Sequence, residues 1–280
     1  VTANAPSIFE QVFRGSGGGK RIALLISAYF DESAEGDSQN GLLAICGYAL
    51  DDRGVRGLSR AWDKMLNVYG IPYFHMNECN TCTGIFDHLT DRSCDLCARR
   101  AIKLARKYPL HGHAFVVDQR EYRRILESQG FDCDPYSFLV FTAFIHVNKW
   151  IIENRPEFRV SLYFEKGYRT QKRANDLLDA VSDWRMNKVV NYGFVDKDDC
   201  GPSQAGDLVA WHVRKGYENI RKGKPVRRDT EALLQDRIVS TIDFHPTRLE
   251  SLRDHFIKKA GSLENAAKLI FSPASGLVSP

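Results

Sequence analysis

Apolar and polar positions alternate between two periods along this chain, and the switches outline an α/β protein. Residues 22–31 form an apolar run ending in polar groups, and residues 40–52 form a second after a Gly/Asp/Ser/Asn turn. Together they predict a β-hairpin. Leu58, Trp62, Met65 and Leu66 recur at helical spacing over 57–68. Residues 70–78 read as a short extended piece ending in polar groups, and 96–107 as a basic helix. Further strands are predicted at 111–118, 158–165 and 188–196, with helices at 120–127, 135–153, 171–184 and 204–221. Leu208, Val209, His212 and Ile220 share one side of the last. Residues 223–240 fit neither period, Pro246-Thr247 with Glu250 has the form of a capping box, and a final helix starts near Ser262. Strands alternating with helices after an initial hairpin predict an α/β sheet with helices packed on its faces.

Residues 138–152 are the most apolar stretch, but they are too short for a bilayer span and carry Thr142, His146, Asn148 and Lys149. They read as a central helix buried on most sides, so no membrane partner is expected. No basic start followed by an apolar stretch opens the chain, which gives the expectation of a cytoplasmic protein without a signal peptide. At 280 residues, one large domain is expected. We divide it into a flexible lead at 1–20, a domain over 21–222 with an insertion at 79–97, and a C-terminal helical extension over 223–280 packed on the same domain. A net charge of +4 tilts weakly towards anionic partners.

The chemistry concentrates in acids at element ends. Asp31 and Glu32 close the first strand, Glu165 closes the middle one, and Asp207 stands at the predicted start of a helix, as an N-cap or in its first turn. An acid at a strand end is commonly just solvated, and Asp at a helix start stabilises the helix by itself. Together, carboxylates from separate elements suit a pair of divalent cations in phosphoryl transfer. The segments AYFDES (28–33), FHMNE (74–78), LYFEKG (162–167) and SQAGDLVAW (203–211) resemble, in order and spacing, the motifs of the domain-of-unknown-function 3800 family. The resemblance covers about residues 22–222. It implies a ribonuclease H-like mixed sheet flanked by helices, with Asp31, Glu165 and Asp207 as Mg²⁺ or Mn²⁺ ligands and Glu32, His75 and Glu78 as supporting catalytic candidates. This chain departs from the family pattern in a cysteine-rich insertion after Glu78, and in Glu165 where Asp is also common.

That insertion holds four of the seven cysteines. Cys79, Cys82, Cys94 and Cys97 form C-x2-C, eleven residues, C-x2-C, the spacing of a four-thiolate structural zinc. A redox pair, thiols that merely fill a loop, and His88 replacing one cysteine are the alternatives. Residues 83–93 read as a polar loop with little surface to bury.

Basic residues follow the late acids. Arg214, Lys215, Arg221, Lys222, Lys224, Arg227 and Arg228 come after Asp207, and Arg169, Lys172 and Arg173 after Glu165. Beside a metal site they could bind phosphates of DNA or RNA through backbone contacts; as a charge run they could equally be a solvated helix face. The resulting expectation is a divalent-metal-dependent nuclease (a phosphodiester hydrolase). Its alternatives are a non-catalytic nucleic-acid-binding module and a zinc-stapled protein-interaction adaptor.

Overall fold

The computed structural model describes residues 24–35, 40–182, 187–196, 200–234 and 239–271. The lead at 1–20 therefore lies outside the described residues. The strands are β1 (Leu25–Ala34), β2 (Leu42–Asp51), β3 (His111–Asp118), β4 (Arg159–Glu165), β5 (Val189–Val195) and β6 (Val239–Phe244). They form one mixed sheet in the order β5-β4-β1-β2-β3-β6. The meander β1-β2-β3 is antiparallel, while β4 pairs parallel with β1, β5 with β4 and β6 with β3.

Helices cover both faces of this sheet. One face carries α1 (Asp52–Tyr69), α2 (Met76–Thr81), α3 (Asp91–Lys107), α7 (Gly201–Arg221) and α8 (Arg228–Leu234); their apolar residues pack with Ala44, Cys46, Tyr48 and Leu50 of β2. The other carries α4 (Gln119–Ile125), α5 (Pro135–Asn154), α6 (Gln171–Ser182), α9 (Pro246–Ala260) and α10 (Leu263–Phe271), packed on Ile26, Ala28 and Phe30 of β1 and on Leu43 and Ile45 of β2. Because successive strand residues face opposite ways, each central strand feeds two cores, and β2 is buried from Leu42 to Leu50. The apolar 135–153 stretch is α5, with Asp134 as its N-cap and Pro135 in its first turn. No helix among the described residues is long and apolar enough to cross a membrane.

Several expectations change. The C-terminal extension is not wholly helical, because Val239–Phe244 add a parallel edge strand beside β3; its short apolar signal follows a charged stretch that hides it. The capping box at Thr247 does not form. His245 is the N-cap and Pro246 takes the first helical position, so Thr247 already lies inside α9. Ile220 is 59% exposed, apart from the face that Leu208 and Val209 bury. The 70–78 segment turns helical from Met76, and α3 begins at Asp91, earlier than its apolar period suggested. Residues 83–93 are more than a polar loop: Phe86 sits in a short 3-10 turn, fully buried against Phe74.

Candidate metal centre

The parallel pairing of β1 and β4 runs in register to Phe30 opposite Phe164, so Asp31 and Glu165 are the next residues on neighbouring strands. Glu32 follows at the same end of the sheet. One oxygen from each of Asp31, Glu32 and Glu165 lies within 4.8 Å of the others. Asp31 is buried, while Glu32 and Glu165 are partly exposed, so the cluster opens to solvent on one side. Strand register alone brings the first and third of these acids together across more than a hundred residues of chain.

Above Asp31 lies α7. Gly206 faces the strand so closely that a Cβ there would stand 3.3 Å from the Asp31 Cβ and backbone nitrogen, so the missing side chain lets the helix approach. The helix begins at Gly201, so Asp207 is in its second turn rather than at its start, and is 5% exposed. Pro202 in the first turn explains the earlier start. Asp207 does not belong to the three-acid group: its Oδ2 accepts a 2.6 Å hydrogen bond from the Met76 backbone N–H. One turn earlier, Gln204 Oε1 accepts from the Phe74 N–H and from Trp62 Nε1, both at 2.8 Å. Gln204 and Asp207 thus clamp the backbone on either side of His75. This role for Gln204, visible in the sequence only as part of a Gln-x-x-Asp spacing, escaped the reading of the residues.

His75 is the N-cap position of α2, and its ring joins two acids. Nδ1 lies 3.1 Å from Glu78 Oε1, and Nε2 lies 4.0 Å from Asp207 Oδ1. Glu78 is anchored in turn by the Ile85 N–H at 3.1 Å. The result is a line of Glu78, His75 and Asp207 leading towards the helix turn that covers Asp31.

Two tyrosine pairs that the sequence reading did not connect with the acids complete the surroundings. Tyr136, at the start of α5, stacks on Tyr168 with ring centroids 3.9 Å apart. Burial, then the charges of Glu32 and Asp31, push the Tyr136 hydroxyl well above the usual tyrosine range, so it stays protonated and able to donate. Its oxygen is buried and has no hydrogen-bond partner among the described residues. Asp134 ties this corner together, accepting from the Tyr136 and Ser137 N–H groups and from the Thr170 hydroxyl at 2.9 Å. On the other side of the sheet, Tyr29 stacks on Tyr163 next to Asp31 and Glu165.

The basic residues are distributed differently. Arg214 is turned inward, 8% exposed, donating to Ser33 at 2.8 Å and to Glu218 at 3.0 Å; it braces the end of β1 and is no surface phosphate contact. Lys215 and Lys222 share Glu218, and Arg221 meets Asp118 at 2.8 Å. Burial alone raises the Glu218 carboxyl, but hydrogen bonds from Lys222 and Lys215 outweigh it and hold the group down to about 2. Arg173 pairs with Asp132, and Arg227 with Asp229 while lying over the Trp211 ring. Arg169, Lys172 and Lys224 are exposed.

Of the four expected zinc ligands, Cys82 and Cys94 are joined as a disulfide, and Cys79 Sγ lies 3.4 Å from the Cys94 carbonyl oxygen. Cys79 and Cys97 remain buried thiols. The left-handed backbone at Cys82 ends α2 and carries its sulfur back to α3. His88 bonds the Tyr69 carbonyl at 3.1 Å.

No family model matches the chain, and no curated protein matches it. Among solved structures it is similar to a crystal structure of a mutant of Bst-RNase HIII, at 14% identity and a TM-score of 0.40, covering 75% of this chain and 64% of that one. It is also similar to Bst-RNase HIII in complex with Mn²⁺, at 11% identity and a TM-score of 0.39, covering 76% of this chain and 66% of that one. The chain thus spans just under two thirds of the length of each.

Proposed function

We propose that this protein is a ribonuclease H-like nuclease that hydrolyses nucleic-acid phosphodiesters with Mg²⁺ or Mn²⁺. The observation that carries the reading is the meeting of Asp31, Glu32 and Glu165 oxygens within 4.8 Å at the ends of neighbouring strands. Three carboxylates this close repel one another, and a hard divalent cation with an all-oxygen preference offsets that repulsion. The donor set fits such an ion: all oxygen, one member buried and two open to solvent. The mixed sheet with helices on both faces supports the same reading, being the architecture that the motif resemblance implies.

Asp31, Glu32 and Glu165 are the residues that would hold the ion, in place of the set with Asp207 that the resemblance implies. When bound, the ion supplies charge neutralisation for the phosphate and a lowered pKa for an attacking water. Asp207 holds the Met76 N–H and orients His75, whose ring, backed by Glu78, is set to hold or pass a proton. Tyr136 stays protonated in the field of Glu32 and Asp31, its buried hydroxyl a donor on the Glu32 side of the sheet. Exposed Arg169, Lys172 and Lys224 are candidates for phosphate contacts that read no bases.

The test is cleavage of single- and double-stranded DNA, RNA and RNA–DNA hybrid with Mg²⁺, Mn²⁺ or EDTA, beside Asp31→Asn. Metal-dependent cleavage lost in the variant is the expected result. A folded protein that binds these nucleic acids but cuts none of them removes the catalytic reading and leaves a binding module.

A further inference from the structure

The acidic centre leaves one chemically loaded cluster unused. Cys79 lies on α2 and Cys82 closes that helix, while Cys94 and Cys97 stand in the first two turns of α3. The Cα atoms of Cys82 and Cys94 are 6.0 Å apart. Cys79 Sγ donates to the Cys94 carbonyl at 3.4 Å, and Cys97 lies close enough to Cys79 for the two thiols to interact. Cys79, Cys94 and Cys97 are no more than 3% exposed.

We propose that, with Cys82–Cys94 reduced, Cys79, Cys82, Cys94 and Cys97 bind one structural Zn²⁺ tetrahedrally, apart from the acidic centre. The proposal is independent of the nuclease reading. Four sulfurs around zinc at about 2.3 Å stand roughly 3.8 Å apart. A Cα separation of 6.0 Å lets two side chains open to that distance without moving either helix. Cys82 has a φ of 53°, the only positive φ of a non-glycine among the described residues. That left-handed turn directs the second cysteine of the first pair back at the second pair. The first turn of α3 favours negative charge on Cys94. Four thiolates around Zn²⁺ carry a net charge of about −2. Lys103, Arg106 and Arg228 line a cavity of about 960 Å³ that Cys79, Cys82 and Cys94 also border, beside the ion pairs Arg99–Asp95 and Arg227–Asp229.

The electron count is closed by a dithiol reductant such as dithiothreitol. Two electrons and two protons pass to Cys82 and Cys94 as their S–S bond breaks, and the reductant closes to its own disulfide. Zn²⁺ then replaces the four thiol protons, which go to the buffer. The staple would hold the Phe86 turn, whose neighbour Ile85 anchors Glu78 and through it His75.

The experiment is to purify the full chain anaerobically with dithiothreitol and without chelator, then measure zinc by mass spectrometry alongside titratable thiols. One zinc per chain is expected, released as a mercurial reagent titrates the thiols. Replacing zinc with Co²⁺ should give the strong visible bands of a tetrahedral thiolate site. Cys82→Ser, at the partly exposed edge of the knot, should lose metal, and Cys133→Ser should keep it. Two results overturn the proposal: a folded, fully reduced chain that takes up neither Zn²⁺ nor Co²⁺, and a Cys82–Cys94 disulfide that resists excess dithiol.

Discussion

The strand-end acids and the helix-borne bases were both legible as charged groups with possible roles at phosphates, yet the fold treats them in opposite ways. Asp31, Glu32 and Glu165 are gathered side by side, like charge against like charge. Most bases after Asp207 are neutralised: Arg214, Lys215 and Lys222 on Glu218, Arg221 on Asp118, Arg227 on Asp229. The difference lies in the scaffold. A sheet fixes where strand ends fall, whatever the charges prefer, whereas long basic chains on a helix reach an acid three or four residues away, as Arg214, Lys215 and Lys222 reach Glu218, or one on a neighbouring element, as Arg221 reaches Asp118. Charge gathered against its own repulsion is therefore the stronger pointer to function in this molecule.

The comparison breaks most directly at Asp31. Asp31→Asn should lower metal-dependent cleavage by more than the roughly 10- to 100-fold typical of an outer metal partner, with Mn²⁺ affinity falling in calorimetry and the melting temperature kept or raised. Cleavage at the native rate would make the gathered acids a structural accident.

Next in size is Gln204→Ala. It leaves the Trp62 and Phe74 N–H groups buried without an acceptor, for a loss of about 2–6 kcal/mol in denaturant unfolding, summing two buried donors. An effect below that range would show that α7 positions the His75 segment by packing alone.

Histidine burial gives an effect of pH. Burial holds His212 down to about 4 and His113 down to about 3, so both stay neutral in the fold at pH values where the unfolded chain, near 6.5, takes up protons. Stability should be complete above about pH 6.5 and fall as pH drops towards 4. His212→Gln should flatten that slope in pH-dependent melts.

Glu218 works at lower pH. Its carboxyl is depressed to about 2, so its contribution is present above the ordinary carboxyl value of 4.5 and disappears as pH falls towards 2. Glu218→Gln should therefore lower the melting temperature at pH 7, and the difference from the native chain should close by pH 2. A gap constant with pH would mean that Arg214 and Lys222 do not depend on that charge.

The smallest effect concerns the bases that stayed outside. Arg169→Ala with Lys172→Ala should weaken nucleic-acid binding modestly, reducing the slope of log affinity on log salt by about 0.7–0.9 for each phosphate that is no longer neutralised. An unchanged slope would place both on an ordinary solvated surface.

Much of the architecture could be read before the structure was known. Apart from α2, the Phe86 turn and the first turn of α3, strands and helices through residue 221 follow the hydrophobic periods, because each element buries one face or two and its residues must repeat accordingly. The β6 strand was not legible, since an edge strand needs few apolar positions and Val239–Phe244 has partly exposed ones. Among site residues, Asp31, Glu32 and Glu165 announced themselves by closing apolar runs. Tyr136 did not, because a tyrosine near the start of an apolar helix resembles any other core aromatic until the Glu32 side of the sheet is laid against it.

The amino-acid sequence by itself determined the alternation of elements, the two-sided burial of the central strands and the chemical types available: carboxylates at strand ends, paired cysteines, a histidine flanked by acids. These are local properties, set by periodicity and by residue type. Only the tertiary structure decided the partners. Parallel register joined Glu165 to Asp31, the closeness allowed by Gly206 brought α7 over that pair, and Asp207 went to the Met76 amide in place of the three-acid group. A carboxylate's role depends on what lies within a few ångströms of it. Here those neighbours come from residues more than a hundred positions away, which no local pattern encodes.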